Sequence, residues 1–138
     1  MTTFRTFEEI DAWKRARQLT RDVYALSNKE GFARDFGLRD QIRRASVSIM
    51  SNIAEGYERS GRKEFIQYLA MAKGSAGEVS SQAFVAFDQG YVSEAEFKRL
   101  QESAADVARL LGGLMEYLRS TTLRGTKYRS APTRNSKL

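Results

Sequence analysis

The segment RRASVSIMSNIAEGY, residues 43–57, carries the pattern from which the architecture follows. Ile42, Ile49 and Ile53 recur at helical spacing, and Ala45, Ser46, Ser48, Ser51 and Ala54 keep the surface between them narrow, so neighbouring helices can approach it closely. Extending the rhythm of Leu38, Ile42, Ala45 and Ile49 by three residues puts Asn52 on or beside the seam, where an aliphatic residue is expected. A polar side chain there fixes register or oligomer state at some cost in stability. That role is preferred to a ligand-binding or catalytic one, because no second reactive group lies nearby in sequence.

Working outward, this helix is predicted over about residues 38–56, with Gly56 ending it and Ser60 capping the next. Before it, Thr6 and Glu9 have the spacing of a capping box and announce a first helix to about Asn28. The inner face of that helix is Phe7, Ile10, Trp13, Ala16, Thr20, Val23 and Leu26, with Lys14, Arg15, Arg21 and Asp22 largely outside it. Being in phase with the apolar stripe, Trp13 reads as a core or interface anchor and not as a base-stacking platform. Residues 29–37 form a connection with room for a short turn. A third helix is predicted over about residues 62–89, with Phe65, Leu69, Ala72, Ala76, Val79, Ala83 and Ala86 inward. Gly74 and Gly77 inside it are expected to be offset by close packing against a neighbouring backbone, since each costs about 1 kcal/mol relative to Ala. A phosphate-binding loop is a poorer reading of this stretch: it lacks the Gly-Lys-Ser/Thr ending and a preceding strand. Ser93 and Glu96 form a second capping box and open a fourth helix to about Thr121, with Phe97, Leu100, Ala104, Val107, Leu111, Leu114 and Leu118 inward. Leu110, Met115 and Tyr117 add apolar surface outside that seam.

No stretch alternates with the two-residue period of a strand. Four long amphipathic helices joined by short connections predict an all-α, up-down-up-down antiparallel four-helix bundle over residues 1–123. Residues 124–138, with one Pro and no apolar rhythm, are expected to be a disordered basic tail.

The 138 residues fit one domain with a sizeable core. The sequence has no Cys and no His, which removes disulfides, thiolate metal sites, cysteine nucleophiles and the commonest general base. Di-iron sites built on Glu-x-x-His and ribonucleases that use His are excluded on the same ground. Glu55 and Glu58, three apart on one helix, are the remaining candidate pair for a divalent cation, but such pairs are common on solvated helices. We therefore expect no catalysis, no cofactor and no metal. No apolar run approaches the roughly 20 residues that span a bilayer, and the start has no apolar signal core, so a cytoplasmic location with no membrane contact is expected.

The net charge of +6 is unevenly placed. Residues 124–138 hold Arg124, Lys127, Arg129, Arg134 and Lys137 and no acid, which is +5; the remaining 18 bases and 17 acids leave the body at +1. Up-down topology gathers Arg5, the corner with Arg59, Arg62 and Lys63, and the tail at one end. The other end mixes bases and acids in balance.

FEEIDAWKRARQL, FGLRDQIRRASVSIMSNIAEGYER and EFIQYLAMAKGSAGEVSSQ together resemble the small bacterial four-helix-bundle proteins first noticed as open reading frames within intervening sequences of 23S ribosomal RNA genes. The resemblance covers about residues 4–119, and NIAEG followed by GSAGE makes it specific. It implies a four-helix bundle, frequently a homopentameric ring, and distant kinship with accessory proteins of diversity-generating retroelements, which bind nucleic acid and a reverse transcriptase. The tail lies outside the matching region.

Two functions from different classes follow. One is an oligomer that binds RNA or DNA without reading sequence, through phosphate contacts from Arg59, Arg62, Lys63, Arg124, Lys127 and Arg129, with Tyr128 adding stacking. The other is an oligomeric scaffold that binds a partner protein through the surplus apolar surface of the first and fourth helices, the tail merely keeping it soluble or folding onto that partner.

Overall fold

A computed structural model describes residues 4–59 and 61–121. Four helices make up the body: α1 (Asp11–Leu26), α2 (Phe36–Glu58), α3 (Arg62–Asp88) and α4 (Glu94–Ser120), and no strand occurs among the described residues. Each helix packs on its two neighbours in the cyclic order α1, α2, α3, α4, as an antiparallel bundle requires. The core runs the length of the bundle, through Leu19 and Val23, Ile42, Ile49 and Ile53, Leu69, Val79 and Ala83, and Val107, Leu111 and Leu118.

The second capping box forms as its spacing predicts. Ser93 Oγ accepts from the Glu96 N–H at 3.1 Å and Glu96 Oε1 accepts from the Ser93 N–H at 2.8 Å. The first does not form. Glu9 Oε1 instead accepts from the Arg5 N–H, residues 7–9 make a 3-10 turn, and Ile10 is extended before α1 begins at Asp11. That bend buries Ile10 and sets Phe7 edge-on to Trp13 with ring centroids 5.2 Å apart. An uninterrupted helix from Thr6 would forgo those contacts.

The first connection also differs. A 3-10 turn at Phe32–Arg34 fills it, and α2 starts at Phe36 because Asp35 caps it, its Oδ1 accepting from the Leu38 N–H at 3.2 Å. Asp35 Oδ2 accepts from the Tyr91 hydroxyl at 2.9 Å, and the Tyr91 ring stacks on Phe32. This bond and burial together hold the Tyr91 phenol above its ordinary pKa. Gly31, at φ 91°, makes the reversal that brings Phe32 under that ring.

Gly56 does not end α2, which continues to Glu58. A Cβ on Gly56 would lie 2.6 Å from Tyr68 Cβ and 3.0 Å from Phe65 Cδ1, so this glycine sets the approach of α3 to α2. Gly61 occupies the N-cap position of α3, and Ser60 lies outside the described residues. Gly74 and Gly77 correct the sequence reading: a Cβ at either meets nothing within 4 Å, and both face outward. In α4 the inner seam passes through Met115, which is buried, while Leu114 is half-buried. Leu110, Leu114 and Tyr117 are half-buried against the core and line an open groove with Phe4 and Ile10.

Candidate nucleic-acid interface

The end that carries the α2–α3 corner is tied to the start of the chain by a buried bond, the Tyr57 hydroxyl donating to the Phe4 carbonyl at 2.7 Å. Phe4 in turn lines a groove with Tyr117. Arg59, Arg62, Lys63 and the last turn of α4 thus share one end of the bundle, as the topology requires.

The three corner residues are not equivalent. Arg59 donates to Glu55 Oε2 at 3.0 Å, lies 4.0 Å from Glu64 Oε2, and stacks over the Tyr68 ring at 5.3 Å. The hydrogen bond to Glu55, with Tyr68 and Glu64 adding to it, raises the Arg59 pKa. Its positive charge is already matched by two carboxylates, which weakens it as a phosphate ligand. Arg62 opens α3 half-buried and Lys63 is exposed. Arg124, Lys127 and Arg129 lie outside the described residues, as does Tyr128.

At the opposite end the mixed charges are paired. Lys29 meets Glu96 at 2.7 Å, Arg34 meets Glu30 at 3.4 Å, Arg39 meets Asp40 at 2.9 Å and Lys98 meets Glu94 at 3.5 Å. The Lys29 and Ser93 bonds hold the Glu96 carboxyl below the usual glutamate range.

Asn52 stands half-buried at the α2–α3 seam. Its Nδ2 donates to the Ser48 carbonyl at 2.9 Å and to Ser48 Oγ at 3.0 Å, and Ser48 Oγ pairs with Ser75 Oγ of α3 at 2.9 Å. The polar ladder joins the NIAEG and GSAGE helices, in keeping with a register role. Among the described residues no group of three or more His, Cys, Asp or Glu could hold a metal ion, and the Glu55 carboxylate is engaged by Arg59. No helix among them is long and apolar enough to cross a membrane.

A cationic surface away from this end was missed because charges summed along the chain conceal how they segregate around the bundle. Lys14, Arg17 and Arg21 follow one another at spacings of three and four along the exposed side of α1, and none has a carboxylate within 4.0 Å among the described residues. Arg15, one step round the helix, is different: it bonds Asp106 of α4 at 2.7 Å and, with Arg109, holds that carboxyl below its ordinary pKa. Across the α1–α2 line, the Arg43 guanidinium lies over the Tyr24 ring at 4.6 Å, its Nε donating to Ser27 Oγ at 2.8 Å. Arg44 is exposed beside it, and both arginines line a shallow concavity with Tyr24, Asp40 and Asn52. The three-four spacing of Lys14, Arg17 and Arg21 is the signal by which sequence could have found this flank.

No curated protein matches the chain. A solved structure of a protein with unknown function from the S23 ribosomal protein family of Bacteroides thetaiotaomicron superposes with a TM-score of 0.70. It is 20% identical over 76% of this chain and 95% of that one, a likeness that shows the fold alone. The family model for the 23S rRNA-intervening sequence protein matches residues 8–113, from the first turn through most of α4, and the chain belongs to that family.

Proposed function

We propose that this is a non-enzymatic, self-associating protein that binds RNA or DNA through the phosphate backbone. The observation that carries this reading is the coincidence of charge and topology: Arg62 and Lys63 sit at the same end of the bundle as Thr121, beyond which residues 124–138 add five cations and no acid. Phosphate contacts of this kind tolerate any base sequence and release counterions, so log affinity falls linearly with log salt. Self-association, into the five-membered ring that the family resemblance implies, is supported by the outward face of α3. There Met71 and Val85 are exposed at 53% and 45%, and Gly74 and Gly77 leave open space for a neighbour. The partner-protein reading has less support, since Leu110, Leu114 and Tyr117 are partly buried against the core of their own chain.

A salt titration of binding to a mixed-sequence duplex and to a single strand tests the proposal. Changing Arg124, Lys127 and Arg129 together to Gln should lower the slope by about 2.7 on duplex DNA and about 2.1 on a single strand, at roughly 0.9 and 0.7 per phosphate contact. An unchanged slope removes the tail from the mechanism. Recovery of one protein in fixed ratio from nuclease-treated host extract, with no nucleic-acid affinity in the purified chain, would favour the scaffold. A monomeric mass in solution at micromolar concentration would overturn the ring.

A further inference from the structure

We infer that the flank formed by α1 and the neighbouring part of α2 is a binding site for single-stranded nucleic acid, built from other residues than Arg62, Lys63 and the cations of residues 124–138. The inference takes its ligand class from the proposed function above, but not its location.

Three observations converge on this flank. Lys14, Arg17 and Arg21 form one exposed row with no carboxylate in reach among the described residues, whereas Arg15, Arg34, Arg39, Arg59 and Lys98 are each held by an acid. Tyr24 continues the row by one turn and keeps 42% of its surface exposed, with the Arg43 guanidinium 4.6 Å from its ring centroid. Arg43 and Arg44 then carry positive charge across to α2, around a concavity of about 740 Å³ that also presents Ser48, Ser51 and Asn52. Among the residues that line the two depressions, the acids are Glu8, beside Lys14 and Arg17, and Asp40, which is bonded to Arg39. Five cations therefore face two carboxylates, one of them engaged.

The combination favours a single strand over a duplex. Guanidinium and ammonium groups at successive helix turns track a phosphate backbone, and an exposed aromatic ring offers any unpaired base a surface to stack on. The bases of a duplex are already stacked and cannot use Tyr24. From Lys14 to Tyr24 is about 15 Å along the helix axis at about 1.5 Å per residue, which accommodates about four nucleotides of stacked strand at about 3.4 Å each. The exposed Ser51 hydroxyl suits a hydrogen bond to a sugar or base edge without imposing one sequence.

Trp13 is the only tryptophan in the chain, and it lines the depression with Lys14, Arg17 and Arg21, the Arg17 guanidinium 5.9 Å from its ring centroid. Its fluorescence therefore reports on this flank. The test uses full-length protein and a labelled 12-residue oligothymidylate, following anisotropy and Trp13 emission together. Binding should change Trp13 emission, and the change should survive when Arg124, Lys127 and Arg129 become Gln. The variant Lys14→Gln, Arg17→Gln, Arg21→Gln should bind about a hundredfold more weakly at 0.1 M salt, its slope lower by about 2, from three contacts at about 0.7 each. Tyr24→Ala should weaken single-strand binding about tenfold or more and leave duplex binding unchanged. Lys14, Arg17, Arg21 and Tyr24 are exposed, and an unchanged helical circular dichroism spectrum confirms folding. Wild-type affinity in the triple variant, with loss only in the tail variant, overturns the flank site and leaves the proposed function standing. A preference for duplex, with Tyr24→Ala without effect, overturns the single-strand assignment. Absence of binding to either nucleic acid by the unaltered protein overturns both.

Discussion

Replacing Gly56 with alanine should destabilise the bundle, although the same change in an exposed helix interior stabilises it. The added methyl would sit 2.6 Å from Tyr68 Cβ and 3.0 Å from Phe65 Cδ1. Tyr68 Cβ is fixed to the α3 backbone, so α3 must retreat from α2 along the seam where Ser48 meets Ser75. Overpacking of this kind costs about 1–3 kcal/mol, against a gain of up to about 1 kcal/mol from replacing glycine in a helix. Contact at 2.6 Å with an atom fixed to the backbone puts the cost in the upper part of that range, so the net loss is about 1–2 kcal/mol, or roughly 3–7 °C in the thermal midpoint for a chain of this length. Gly74→Ala and Gly77→Ala are the matched controls, since neither new methyl meets anything within 4 Å. Each should raise monomer stability by up to about 1 kcal/mol. Thermal unfolding followed by circular dichroism, at concentrations above and below any assembly threshold, measures all three. A midpoint unchanged or raised in Gly56→Ala would refute the close approach of α2 and α3. A fall in Gly74→Ala that appears only in the assembled protein would place that glycine against another copy.

Tyr57→Phe removes the buried hydroxyl that satisfies the Phe4 carbonyl, and should cost about 1–3 kcal/mol for the acceptor left behind. Amide exchange over residues 4–10 should quicken more than exchange in α3. Ser93→Ala should cost about 1 kcal/mol through loss of the α4 cap, measured by urea denaturation. Glu96 has a lowered folded pKa, so its contribution is present above its ordinary value of 4.5 and disappears as pH falls through the lower folded value. Glu96→Gln should flatten that acid limb of the stability profile, and an unaltered limb would show that Lys29 and Ser93 do not hold it. For Tyr91 the folded pKa is raised, so its stabilisation is complete below its ordinary value of 10.0 and fades as pH rises through the higher folded value. Asp35→Asn should bring the phenol's ultraviolet titration back toward that value.

The helices are legible in the sequence wherever a pattern of period 3.6 meets a side chain that terminates it, as at Ser93 with Glu96. The capping box at Thr6 has the same spacing but fails because Ile10 and Phe7 gain more by bending into the core than by continuing a helix. Asp35 caps α2 three residues before Leu38, so a start read from the apolar rhythm alone falls too late. Gly74 lies about 200° round the helix from the buried Ala72 and so points outward, which the helical period alone places. The charged surface was the least legible part. Counting along the chain isolates the five cations of residues 124–138, yet it cannot tell Arg59, which has two carboxylates within 4.0 Å, from Arg17, which has none at that distance among the described residues. That distinction depends on which residues meet across helices, and only the assembled bundle supplies it.

The ion pairs at the far end and the unmatched row on α1 together make a body that is almost neutral in sum and strongly lopsided in distribution. Salt cuts off electric fields within about 10 Å at 0.1 M, so a distant polyelectrolyte senses little of this molecule. Only at the last few water layers does one side pull harder than the other. Such a particle is expected to tumble freely through a crowded solution and to turn broadside on at the moment of collision.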